Sequence, residues 1–245
     1  MLNFLANLEW AMLLNPMMRL IPLIICITLH ELAHGYSAFR LGDNTAKQMG
    51  RLTLNPIKHI DPIGALMILI AGFGWAKPVP INMRNFKNPK KDMAITALAG
   101  PMANILLAIA VLLILALFSG PLSAKNASYH GEFLLTSIFN RIPQSINEFI
   151  YQIIARTAWL SIVLAIFNLL PIPPLDGSKI LFSVLPDRAH TFLMKYERYG
   201  FMILICLLFF TDIFSSTVIR LAIWIFSSVA FLLKIIPGEI YAFLI

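Results

Sequence analysis

The sequence predicts an all-α polytopic membrane protein of about five to six transmembrane helices. Three observations carry this: 59% of the 245 residues are hydrophobic, only 13% are charged, and long apolar runs recur from Ile21 almost to the C-terminus. With a mean hydropathy of +0.80, the chain suits lipid rather than water as its solvent. Each crossing of about 30 Å of hydrocarbon needs roughly 20 apolar residues, so about six crossings and their connections account for the chain, and no separate soluble domain is expected. Residues 1–245 therefore read as one integral-membrane domain, with a core over roughly 18–186 and C-terminal helices over roughly 199–236.

Taken in order, residues 1–17 place Leu5, Leu8, Trp10 and Leu13 on a helical spacing, which suits a segment lying along the outer interface or packed on the bundle. Long spans are expected near 18–40, 94–118, 148–170, 199–214 and 217–236. The first apolar run lacks a basic leader and a small-residue cleavage site, and it holds ionisable residues, so it is expected to remain in the mature protein. The run Ile63–Phe73 is too short to cross alone and reads as re-entrant, which puts residues 40–93 on one side. That stretch carries Arg40, Lys47, Arg51, Lys58, Lys77, Arg84, Lys87, Lys90 and Lys91 against three acidic residues, the mark of a cytoplasmic face. The next connection, 119–147, has only Lys125 and Arg141, whereas Lys179, Arg188, Lys195 and Arg198 follow the third long span. The sides alternate, with the N-terminus outside. Cys26 and Cys206 are far apart within apolar runs and read as small packing residues rather than a disulfide. No internal repeat is evident.

The sharpest chemical signal is His30-Glu31-Leu32-Ala33-His34 within the first long span. Residues four apart share a helix face, so two imidazoles can grip one metal ion with a carboxylate beside them. Ionisable groups are costly within a lipid-spanning run and usually mark function there. A catalytic zinc takes three protein ligands and keeps a fourth position open, so a third ligand must come from elsewhere. Asp176 is the best candidate, because Leu175-Asp176-Gly177 follows Asn168 and a run of prolines at the cytoplasmic exit of the 148–170 span, on the side where His30 and His34 approach the end of theirs. A helix N-cap after a proline-broken loop would use the same residues. His59 is the rival ligand, but its setting in a basic loop suits a solvated side chain, and His130 and His190 read as interfacial. Cys26 lies four residues before His30 on the same face, where packing is the better reading.

These motifs together resemble the site-2 protease family of intramembrane zinc metalloproteases. The resemblance rests on HExxH at 30–34, Gly100-Pro101-Met102-Ala103-Asn104, and Asn168 through Pro171 to Leu175-Asp176-Gly177, in that order over most of residues 20–185. The stretch Gly72–Asn82 also resembles the central loop of the short bacterial branch. The resemblance implies a three-helix catalytic core and one zinc ion per chain held by His30, His34 and Asp176. It further implies Glu31 as general base, and cleavage of a transmembrane segment near the cytoplasmic side of a cell membrane, in bacteria the inner membrane. By the same carry-over Asn168 is the candidate catalytic donor to the oxyanion, its alternative being an amide that bridges helices. Asn104 reads more simply as structural, in a turn where Gly and Pro allow close packing. Unlike many relatives, the chain is expected to lack a PDZ domain, for which its motifs leave no room, and a C-terminal nucleotide-sensing domain.

The implied substrate is a transmembrane protein or peptide, caught in extended form because a helix hides its own peptide bonds. Val79, Pro80 and Ile81 could offer an edge for it, or the loop could be a plain interfacial one with Trp75 at the membrane boundary. The net charge of +7 reads as orientation determinants and contacts with anionic lipid in the bilayer, not as a nucleic-acid surface. The oligomeric state is not fixed by the sequence. Two other classes compete: a membrane zinc transporter, whose ligands would spread along a path, and a catalytically silent zinc-binding membrane scaffold, which would be expected to lose Glu31 or Asp176 first. A prenyl-protein-processing type of zinc protease would need a glutamate on a later helix, and Glu148 and Glu197 lack that context.

Overall fold

The structure, a computed structural model, describes residues 2–64, 67, 75–118, 143, 145–186, 199, 200, 202, 204, 206 and 212–232, without the side chains of 2–16, 212–215, 230 and 231. Among these residues the protein is all-helical, with no strand and one isolated antiparallel bridge between Ile60 and Ala76. Six α-helices are numbered here: α1 Leu2–Arg40, α2 Thr45–Gln48, α3 Pro89–Phe118, α4 Ile146–Leu169, α5 Asp176–Val184 and α6 Asp212–Leu232. Three segments are long and apolar enough to cross a membrane, Met17–Arg40, Pro89–Leu117 and Ile146–Leu169, close to the first three spans expected. The last expected span, 217–236, is helical as far as Leu232 and apolar over Ser216–Val229. Half of the expected span at 199–214 and most of the run Ile63–Phe73 lie outside the described residues. The N-terminal stretch is not a separate interfacial segment, since α1 is continuous from Leu2.

Of the described residues, those within 1–26, 106–162 and 222–245 form one compact unit, and those within 27–105 and 163–221 form another. The first is packed through small side chains: Cys26, Ala108, Ala155, Ala158, Ser161 and Ala222 are all buried, as helices without a hydrophobic drive between them require. Cys26 Sγ lies 3.1 Å from Ser161 Oγ, so its role here is packing between α1 and α4. Trp159 meets Phe226 edge-on with ring centroids 5.8 Å apart. Along α3, Leu106, Leu113, Ile114 and Leu117 are exposed, which is inverted for water and ordinary for lipid. Cys206 departs from the expectation of a packing residue, because its side chain is exposed.

The second unit holds the polar groups. At the start of α3 the Asp92 carboxylate accepts from the Asn88 N–H at 2.9 Å, in the manner of a capping box, with Pro89 at the first helical position where no N–H is needed. Asp43, just past α1, is fully buried and accepts from the Thr45 N–H and hydroxyl, the Asn82 N–H at 2.7 Å and the Asn85 amide at 2.7 Å. Burial alone would raise its carboxyl pKa, but these four donors outweigh it and hold the group below its ordinary range. Asp43 thus staples residues 82–85 to the end of α1. His59 overturns the expectation of a solvated side chain: it is fully buried, its Nε2 donates to the Thr53 carbonyl at 2.8 Å, and its own carbonyl accepts from Lys77 N–H at 3.0 Å.

Candidate metal centre

The helical repeat of α1 puts His30 and His34 one turn apart on the same face, both buried. Their Nε2 atoms are 3.0 Å apart, and the Asp176 Oδ2 atom lies 3.1 Å from each. Among the described residues this is the single group of three His, Cys, Asp or Glu side chains able to share one metal ion. Asp176 is no N-cap. It is the first residue of α5, Leu175 holds the cap position, and no side chain caps that helix, so the carboxylate is free to face the imidazoles. The turn that delivers it needs Gly177, because a Cβ there would lie 2.2 Å from the Leu169 carbonyl oxygen at the end of α4. Burial would raise the Asp176 pKa, but hydrogen bonds from His30 and His34, with Lys179 Nζ 3.5 Å from the other oxygen of the same carboxylate, Oδ1, hold it far below the usual carboxylate range.

A third helix frames the imidazoles from beneath. Thr96, Gly100 and Asn104 follow at i, i+4 and i+8 along one face of α3, around Pro101, which opens the preceding turn. The Thr96 carbonyl accepts from His34 Nδ1 at 2.7 Å. The Asn104 amide lies 3.2 Å from His30 Nδ1 and is fully buried. Between them Gly100 leaves the space that the rings fill: a Cβ there would sit 2.3 Å from His34 Nε2 and 2.7 Å from His30 Cε1.

The donor set fits zinc. A carbonyl can only accept, so His34 Nδ1 carries the proton and, in the neutral ring, Nε2 carries a lone pair. That lone pair faces a carboxylate oxygen and a second imidazole nitrogen, an arrangement that calls for a shared cation. Tetrahedral zinc with bonds of about 2.1 Å separates its ligand atoms by about 3.4 Å, a few tenths from the spacings found here. Glu31, next to His30 and half-buried, is held by the Val79 N–H, which donates to its Oε2 at 2.8 Å.

Of the residues singled out from sequence, His30, His34 and Asp176 converge, with Glu31 next to His30 in the chain. Asn168 is not recorded at the cluster; its Nδ2 donates to the Leu164 carbonyl at 2.9 Å within α4. His59 is engaged elsewhere, and His130 and His190 lie outside the described residues. Asn104, read from sequence as structural, sits against a zinc-ligand candidate. Thr96 was not singled out from sequence, and Val79 was read only as part of a substrate edge rather than as the partner of Glu31, because both act through backbone atoms. Gly100 was legible only as a close-packing residue, with no sign of what it packs against.

The family model for peptidase family M50 matches residues 18–211, and the chain belongs to this family, that of the site-2 proteases. The chain is similar to "Putative zinc metalloprotease YwhC" of Bacillus subtilis, with 41% identity over 187 residues, 76% of this chain and 78% of the relative. It is also similar to "Putative zinc metalloprotease Rip2" of Mycolicibacterium smegmatis, with 28% identity over 208 residues, 83% of this chain and 70% of the relative. No solved structure matches it. Family and apolar helices together make this a membrane protein of the zinc metalloprotease class.

Proposed function

We propose that this chain is a multi-pass intramembrane zinc metalloendopeptidase that hydrolyses peptide bonds in transmembrane segments of other proteins, near the cytoplasmic face. The observation that carries the reading is the convergence of His30 Nε2, His34 Nε2 and Asp176 Oδ2 to within 3.1 Å of one another, beside Glu31. A zinc ion held by these three side chains supplies Lewis-acid activation of water and of the scissile carbonyl. Glu31 takes the proton of the attacking water and returns it to the leaving amine. The Val79 N–H donates to Oε2 and so orients the carboxylate for proton transfer. Asn168 spends one amide proton on Leu164 and keeps the other, which suits it to steady the developing oxyanion. The basic residues between Arg40 and Lys91 support a cytoplasmic setting for this end of α1.

The loop from Trp75 to Asn82 restricts how an extended substrate can pair. Pro78 and Pro80 have no N–H, Lys77 N–H is taken by His59 and Val79 N–H by Glu31, so the stretch 77–80 offers a substrate only acceptors. The Lys77 carbonyl is itself engaged by Arg51 at 2.7 Å. A substrate strand held here donates its N–H groups to the carbonyls of residues 78–80. The deciding experiment is cleavage of a single-span reporter with a helix-weakened segment, reconstituted with wild type or Glu31→Gln, with zinc content recorded for both. Loss of cleavage with zinc retained is expected. Equal cleavage by both proteins removes Glu31 from the chemistry, and silence from both despite bound zinc favours a transporter or scaffold.

A further inference from the structure

We propose that Asn104 is a positioning residue for the zinc centre: its amide oxygen accepts the Nδ1 proton of His30 and so leaves the His30 Nε2 lone pair for the metal. This rests on the zinc reading of His30, His34 and Asp176, and it assigns the amide of α3 a chemical part in that site. A neutral imidazole has one N–H and one lone pair, so whichever group faces one nitrogen decides what the other can do. For His34 the Thr96 carbonyl at 2.7 Å settles the matter, because a carbonyl cannot donate. For His30 the corresponding position is filled by a side chain that can do either, the Asn104 amide, which is placed here with its Nδ2 3.2 Å from His30 Nδ1.

With its Nδ2 toward His30, the amide donates, and the ring must then carry its proton on Nε2, pointing at Asp176 and His34. With its Oδ1 toward His30, the amide accepts, the proton sits on Nδ1, and Nε2 is a ligand. A half-turn about the Cβ–Cγ bond exchanges the two without moving either helix. Among the described residues Oδ1 has no partner, and Asn104 is fully buried, so no described group competes with His30 for that oxygen. A ligating Nε2 requires the accepting orientation. Groups that orient metal-bound histidines in this way are commonly worth about 10- to 100-fold in metal affinity.

The test compares wild type with Asn104→Asp, Asn104→Leu and Asn104→Ala by chelator competition for zinc, with thermal unfolding of the metal-free proteins alongside. The carboxylate of Asn104→Asp is an acceptor in every orientation, so its zinc affinity is expected within about threefold of wild type or above it, whereas Leu and Ala are expected to lose about 10- to 100-fold. Metal-free unfolding reads any packing defect separately, and the Ala variant keeps the comparison alive if Leu does not fold. Zinc affinity equal to wild type in the Leu or Ala variant overturns the proposal. So does an Asp variant that falls as far as they do, since the amide would then serve only to bridge helices. A wild-type protein that takes up no zinc overturns the underlying reading instead.

Discussion

Adding one methyl group at Gly100 is expected to separate metal binding from fold stability. The Cβ of Gly100→Ala would lie 2.3 Å from His34 Nε2, 2.6 Å from His34 Cε1 and 2.7 Å from His30 Cε1. Ordinary contact distances are about 3.5 Å, so the His34 ring must withdraw by about 1 Å. It cannot simply rotate away, because Thr96 holds its other nitrogen at 2.7 Å. Zinc sites tolerate about 0.2 Å in ligand distance, so a displacement several times larger is expected to lower zinc affinity at least 100-fold, about 2.8 kcal/mol. Intrinsic preference runs the other way, since Ala in a helix interior is favoured over Gly by up to about 1 kcal/mol. The variant should therefore unfold without zinc at a temperature no more than slightly below wild type, yet gain little from added zinc and cleave the reporter poorly. The assays are unfolding with and without zinc, chelator competition and reporter cleavage. Wild-type zinc affinity in Gly100→Ala would refute the placement of α3 beneath the two imidazoles.

Gly177→Ala should have a related outcome by another route: its Cβ meets the backbone oxygens of Leu169 at 2.2 Å and Leu170 at 2.4 Å, so α5 must shift and carry Asp176 off the cluster. A loss of stability of about 2 kcal/mol, together with weakened zinc binding, is expected in unfolding and chelator titrations. Asp176→Ala should abolish stoichiometric zinc and cleavage, and chelation of the wild type should do the same reversibly on zinc readdition. Asp43→Asn removes a charge that accepts from four donors and should cost about 2 kcal/mol. Because the Asp43 pKa is depressed by folding, its contribution is fully present above its unfolded value of about 3.9 and is lost as pH falls through the lower folded value. The gap in unfolding temperature between wild type and Asp43→Asn should thus be constant near neutrality and close in acid. A gap independent of pH down to strongly acid conditions would show that the carboxylate charge is not what holds residues 82–85.

What the sequence could show depended on whether a function is written in side chains at a fixed spacing. His30, Glu31 and His34 occupy one turn of one helix, so their geometry follows from the helical repeat alone. The three crossings at 17–40, 89–117 and 146–169 were legible for a similar reason, since length and apolarity are local properties. Asp176 is 142 residues from His34, and local sequence allowed a helix cap just as well; only the motif order drew it toward the histidines. His59 was misread because its neighbours Lys58 and Asp61 are charged, while its burial comes from pairing with Thr53 and with Lys77, which local polarity does not encode. The least legible parts of the centre are the backbone partners. The Thr96 carbonyl and the Val79 N–H exist in any residue at those positions, and what selects them is the close approach that Gly100 and Gly35 permit: a Cβ on Gly35 would lie 3.1 Å from Val79 Cγ1. The glycines are thus where sequence and site meet. Each marks a surface where α1 is approached closely, by α3 at Gly100 and by the loop at Gly35, and on those two surfaces the tautomer of His34 and the orientation of Glu31 depend.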